Sequence, residues 1–95
     1  MPAYLVARIN VTDPEKYEAY KKLSPAAIAA YGGRFLSRGG NLETLEGAPE
    51  TRRVVIVEFP DMQAARDFYD SPQYRKARAA REGAAEGQFF IVEGI

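Results

Sequence analysis

The sequence contains neither cysteine nor histidine. Without cysteine there is no disulfide, no thiolate nucleophile and no zinc knuckle. Without histidine the commonest general base and the commonest transition-metal ligand are missing, and with them every Ser-His or Cys-His arrangement. Haem held by a protein histidine is excluded too. A metal would have to rest on carboxylates alone, the ligand set of Mg²⁺ or Ca²⁺, and the expectation is no metal and no cofactor. An excess of charge is also absent: 13 basic residues balance 13 acidic ones. That argues against nucleic acid, whose phosphates demand a basic surplus, and it removes the repulsion that opposes self-association. No window approaches the roughly 18 apolar residues of a membrane span. The opening MPAYLVARIN lacks the basic start and long apolar run of a secretory signal, so a cytoplasmic location without membrane partners is expected.

What is present reads as one domain over residues 1–95. A chain of this size buries only about 60–65% of its unfolded surface, so its core is thin. Ala3 to Val11 alternates as a strand, with Leu5, Ala7, Ile9 and Val11 on one face and Tyr4, Val6, Arg8 and Asn10 on the other. Asp13-Pro14 starts a helix striped by Tyr17, Tyr20 and Leu23. Ser24-Pro25 predicts a kink or restart, and Gly32-Gly33 ends the segment. Arg34 to Arg38 is a second strand, Gly39-Gly40 predicts a bulge or turn, and Leu42 to Glu46 is a candidate hairpin arm. Arg53 to Phe59 is the strongest strand, rich in β-branched residues. Asp61 caps a helix carrying Met62, Ala65, Phe68 and Tyr69, and Ser71-Pro72 restarts it as Tyr74 to Arg81. Gly83 and Gly87 bracket a loose connection to a last strand, Gln88 to Glu93.

This β-α-β-β-α-β order is the α+β, ferredoxin-like arrangement: a four-stranded antiparallel sheet with both helices on one face. The helix-facing set is expected to be Leu5, Ala7, Ile9, Phe35, Val55, Val57, Phe59, Phe90 and Val92. The other face then holds Val6, Leu36, Val54, Ile56, Phe89 and Ile91 among Arg8, Asn10, Arg34, Arg38, Glu58 and Glu93. Such a surface is a larger apolar patch than monomers usually expose. Pairing it with a second copy gives a homodimeric α/β barrel about a two-fold axis.

The densest local signal is Gly32-Gly33-Arg34-Phe35-Leu36-Ser37-Arg38-Gly39-Gly40, a short strand with an arginine at each end and a glycine pair on each side. Together with Tyr17, Tyr20, Leu45-Glu46-Gly47, Val57-Glu58-Phe59, Phe68-Tyr69-Asp70-Ser71-Pro72-Gln73-Tyr74, Arg81 and Val92-Glu93-Gly94, it closely resembles the bacterial family of unknown function known as DUF1330, in the dimeric α/β-barrel superfamily. The resemblance implies a ferredoxin-like subunit and a homodimer, and it brings no established reaction. Superfamily relatives include cofactor-free monooxygenases, lactone isomerases, haem-degrading enzymes, dehydratases and ligand sensors. Several of those use histidine, which this chain lacks, so their mechanisms do not transfer.

Arg38 and Glu58 are the candidate catalytic residues. The Arg38 guanidinium suits a carboxylate or enolate oxygen at the barrel mouth, or else forms an ion pair with Glu58 or Glu93. Glu58, on an apolar strand, is either a general base or the partner of Arg34. Asn10, Tyr20, Tyr74 and Arg81 are candidate ligand-binding residues, against the plainer roles of turn support for Asn10 and rim-facing core for the tyrosines. Two functions are open. One is a cofactor-free isomerase, lyase or monooxygenase-like enzyme acting on a small carbonyl or carboxylate metabolite. The other is a non-catalytic ligand-binding or accessory homodimer.

Overall fold

The computed structural model describes residues 1–95. Seven elements occur in chain order: β1 (Ala3–Val11), α1 (Pro14–Ala30), β2 (Arg34–Arg38), β3 (Arg53–Phe59), α2 (Met62–Tyr69), α3 (Pro72–Arg81) and β4 (Ala85–Glu93). The strands form one antiparallel sheet in the order β2-β3-β1-β4. This is the expected ferredoxin-like topology, with the second helix split in two. No helix is long and apolar enough to cross a membrane.

Strict alternation dictates which face of the central strands is covered. Ala3, Leu5, Ala7 and Ile9 of β1 are buried, as are Val57 and Phe59 of β3. They pack against Tyr17, Tyr20, Ala27 and Ile28 of α1, Ala65 and Phe68 of α2, and Tyr74 and Ala77 of α3. Removing a Phe59 or Phe68 side chain from water contributes roughly 1.5–3 kcal/mol each. Gly33 lets α1 and β3 close on each other: a β-carbon there would lie 2.6 Å from Phe59 and 2.8 Å from Ile28.

The structure corrects several expectations. In β4 the phase is reversed: register pairs Phe89 with Ala7 and Ile91 with Leu5, so Phe89 and Ile91 pack on the core while Phe90 and Val92 stand on the bare face, 42% and 49% exposed. β4 also starts at Ala85, and Gly87 lies within it, paired with Ile9, rather than in a loose connection. Leu42 to Glu46 forms no strand. Finally, of the bulge or turn expected at Gly39-Gly40 the chain makes the turn, at Gly39 (φ +70°), while the irregularity in β2 lies earlier, between Phe35 and Ser37. One extra residue opposite β3 reverses the parity of the rest of the strand, so Arg38 pairs with Val55, on the helix-facing side.

Helix α1 runs unbroken through Pro25, where a kink or restart was expected. Proline has no N–H for the carbonyl four residues back, which leaves the Lys21 carbonyl oxygen without its helical donor. Arg38 supplies the replacement: its Nη2 donates to that oxygen at 2.8 Å. At Pro72 the orphaned carbonyl is that of Phe68, and its donor is local rather than from another element. There Ser71 is extended (φ −68°, ψ 152°) and its hydroxyl donates to the Phe68 carbonyl at 2.7 Å while accepting from the Tyr74 N–H at 3.1 Å. The chain stops and restarts as α3.

Candidate functional site

Between the covered face of the sheet and α1 and α3 lies a cavity of about 30 Å³, room for about one or two waters. Its walls are apolar, with Leu5, Phe35, Val55, Val57 and Phe68 among them. Its polar groups are of two kinds only: the hydroxyls of Tyr17, Tyr20, Ser24 and Tyr74, and the cationic side chains of Lys21, Arg38 and Arg53. No carboxylate lines it.

The tyrosines come from helical spacing. Tyr17 and Tyr20 lie one turn apart on α1, with ring centroids 5.2 Å apart, and Tyr74 at the start of α3 meets Tyr20 edge-on at 6.1 Å. The Tyr20 and Tyr74 hydroxyls share one hydrogen bond at 2.7 Å. Burial raises all three phenols above their ordinary pKa; the charges of Arg53 and Arg81 oppose that shift at Tyr17, and Arg81 opposes it at Tyr74. These groups are therefore proton donors rather than bases. The Arg81 guanidinium packs behind the pair, 5.3 Å from the Tyr20 ring centre and 4.6 Å from that of Phe89, its Nε buried without a partner.

Arg53 is a site residue absent from the sequence-based candidates. It shares parity with Val55, Val57 and Phe59, so alternation from the strongest strand already sets it on the covered face. Its Nε is buried and unpartnered, and its charge lies beside Tyr17. Gly39 makes room for it: with φ +70° the chain turns there, and a β-carbon would strike the Arg53 guanidinium. Lys21 is a second such residue, although its ammonium is engaged by Glu18 at 2.9 Å.

Of the sequence candidates, Tyr20, Tyr74 and Arg38 border the cavity and Arg81 backs it. Arg38 lies at the rim, exposed, with its guanidinium 4.7 Å over the Phe35 ring. Glu58 is elsewhere, on the bare face, bound by Arg34 at 3.1 Å and 3.2 Å. The structure does not bring Arg38 and Glu58 together, so neither their joint catalytic role nor their mutual ion pair has a geometric basis. Asn10 is exposed beside Thr51, Arg52 and Glu86, outside the cavity. No three carboxylates gather to hold a metal ion.

Comparison with solved structures places this geometry among similar folds. A protein of unknown function from Rhodopseudomonas palustris superposes with a TM-score of 0.74 at 23% identity, over 99% of this chain and 82% of its own. SnoaB, a cofactor-independent oxygenase from Streptomyces nogalater, gives 0.70 at 18% identity, over 99% and 93%. A dimeric ferredoxin-like protein of unknown function from Thermobifida fusca gives 0.66 at 17%, over 99% and 92%. At these identities the shared property is the fold. No curated protein matches the chain. The sequence profile described as Domain of unknown function (DUF1330) matches residues 2–95, end to end, and the chain therefore belongs to that family.

Proposed function

We propose that the chain acts as a homodimer, closed by its bare sheet faces, and that each subunit binds a small carbonyl or carboxylate compound through an anionic oxygen in the cavity between sheet and helices. The observation that carries this reading is the donor set: guanidinium and phenol groups converge on one apolar chamber that contains no carboxylate. An unpartnered buried Arg53 Nε beside protonated tyrosines favours a carboxylate or enolate oxygen. The chamber as it stands is smaller than a ligand, so entry requires Arg38 and Arg53 to swing at the rim. Homodimerisation is supported by the neighbour described as dimeric and by the apolar bare face.

Within this reading the turnover branch has a narrow form. With no proton acceptor lining the chamber, a substrate must arrive already ionised or lose its proton to solvent. An enolate that reacts without a cofactor satisfies that condition, and SnoaB is described as a cofactor-independent oxygenase. The same observation, the absence of a base, equally favours a ligand-binding dimer without turnover; oxygen uptake with a bound enolic ligand separates the two.

The binding step is tested with benzoate and acetate, both ionised at neutral pH, using benzamide as the uncharged comparison. The anions are expected to raise the melting temperature of the wild type, and Arg53→Ala is expected to weaken them about tenfold or more, the cost of one charged hydrogen bond. Equal stabilisation by benzamide, or indifference to Arg53→Ala, would remove the basis for the site.

A further inference from the structure

The connection between β2 and β3 packs on almost nothing of its own chain. Gly40 through Pro49 are all exposed, and a stretch this long without secondary structure is uncommon in a small domain unless it serves a function. It is nonetheless held in shape. The Glu50 N–H donates to the Thr44 hydroxyl at 2.9 Å, closing a short loop. Glu50 then takes Arg52 through both carboxylate oxygens, each at 3.1 Å, and Arg8 of β1 at 3.5 Å. At the tip, Leu45 is 89% exposed. A leucine fixed in water on an ordered loop is preorganised for a contact.

A matching hollow lies at the opposite edge of the same sheet. Between α2 and edge strand β4 is an open cavity of about 280 Å³ lined by Ala65, Tyr69, Phe89, Phe90 and Ile91, with Arg66 and Asp70 as its two charged residues. The hollow's own charges balance, and the complementarity lies in the helices around it. Gly39 to Pro49 carries two acidic residues, Glu43 and Glu46, and no basic one, whereas Met62 to Arg81 carries five basic residues and two acidic. Arg78 sits over the Tyr69 ring at 4.5 Å. Within one chain β3 and β1 separate the two edges, roughly 14 Å at the spacing of paired strands. A two-fold axis running along the strands places the β2 edge of one copy against the β4 edge of the other, and makes the match twice.

We propose that residues 41–49 of each subunit dock into the α2–β4 hollow of a second copy of this chain, with Leu45 seated against Tyr69 and Phe90 and the two glutamates facing Arg66 and Arg78. The docking rests on the homodimer reading above and adds to it the direction of the axis and a swapped contact. Because the chain has no cysteine, a Leu45→Cys, Arg66→Cys variant carries only the thiols introduced. Under oxidised glutathione it is expected to form a covalent dimer on a non-reducing gel, well above a Leu45→Cys, Glu15→Cys control. Leu45→Asp is expected to raise the dimer dissociation constant about tenfold or more, and Glu46→Arg to weaken the dimer until Arg66→Glu is added. A dimeric wild type that cross-links no better than the control, with Leu45→Asp inert, overturns the docking and leaves sheet pairing intact. A monomeric wild type overturns both.

Discussion

Three phenols set the chemical character of the cavity. Tyr17, Tyr20 and Tyr74 each have a pKa raised by burial, so the folded state resists their ionisation while the unfolded chain does not. The unfolded chain then loses protons first as the solution becomes alkaline, and stability falls with pH. The contribution is complete below the unfolded phenol value near 10 and is lost as pH climbs above it, by up to about 1.4 kcal/mol per pH unit for each tyrosine. Absorbance at 295 nm is expected to show these three among the six tyrosines ionising only as near-ultraviolet circular dichroism collapses. Tyr20→Phe deletes the shared hydroxyl bond and is expected to cost about 1 kcal/mol in urea unfolding. Full titration of all six in the folded protein would contradict the burial argument. Tyr20 and Tyr74 were legible in the sequence because helical spacing marks them. Arg53 was equally legible by parity with Val55 and Val57, yet from the sequence it is read only as the start of a strand.

At the scale of elements, the instructive pair is Ser24-Pro25 and Ser71-Pro72. The same dipeptide leaves α1 continuous and divides α2 from α3. The difference is a donor from another element: Arg38 of β2 satisfies the Lys21 oxygen that Pro25 orphans. A sequence pattern confined to one helix cannot reveal that donor. Arg38→Ala is expected to cost about 1 kcal/mol, the lower end for a charged hydrogen bond because the side chain is exposed. Pro25→Ala restores the intrahelical bond, so Arg38→Ala added to it is expected to cost little; the cycle measured by urea unfolding reports the coupling. Strictly additive losses would show that Arg38 does not replace the missing donor. The faces of β1 were legible because it alternates, and in β3 the Glu58-Phe59 pair set the phase although Val54-Val55-Ile56-Val57 is itself an apolar run. Those of β4 were not, since Phe89-Phe90-Ile91-Val92 is a continuous apolar run with no period to fix its phase. In β2 the irregularity at Leu36 moved Arg38 to the other face, and nothing in five residues announces it.

The whole molecule is shaped by having helices on one side only. The bare side presents Val6, Leu36, Ile56, Phe90 and Val92 as an apolar field. Ordered polar groups border it: Arg34 with Glu58 at one end, and Arg8 with Gln88 and Glu50 at the other. Bordering charges that already satisfy one another can be carried into a contact at lower desolvation cost than free ones. They also define where the greasy centre ends, the pattern of an interface core within a polar rim. The zero net charge places no electrostatic barrier against two copies meeting. Ile56 sits mid-strand, paired with Val6, and is only half-buried within its own subunit. Ile56→Glu therefore inserts a carboxylate at the centre of the paired faces while leaving the helix-covered core untouched. The expected result is a folded 10.5 kDa monomer with unchanged far-ultraviolet circular dichroism. Dimer affinity should fall by roughly 3 kcal/mol or more, about a hundredfold, the penalty for an uncompensated buried charge. Sedimentation equilibrium at micromolar concentration reads this directly. A variant that remains as dimeric as the wild type would mean that the sheet faces are not the surfaces that meet, and the apolar field would then need a different cover.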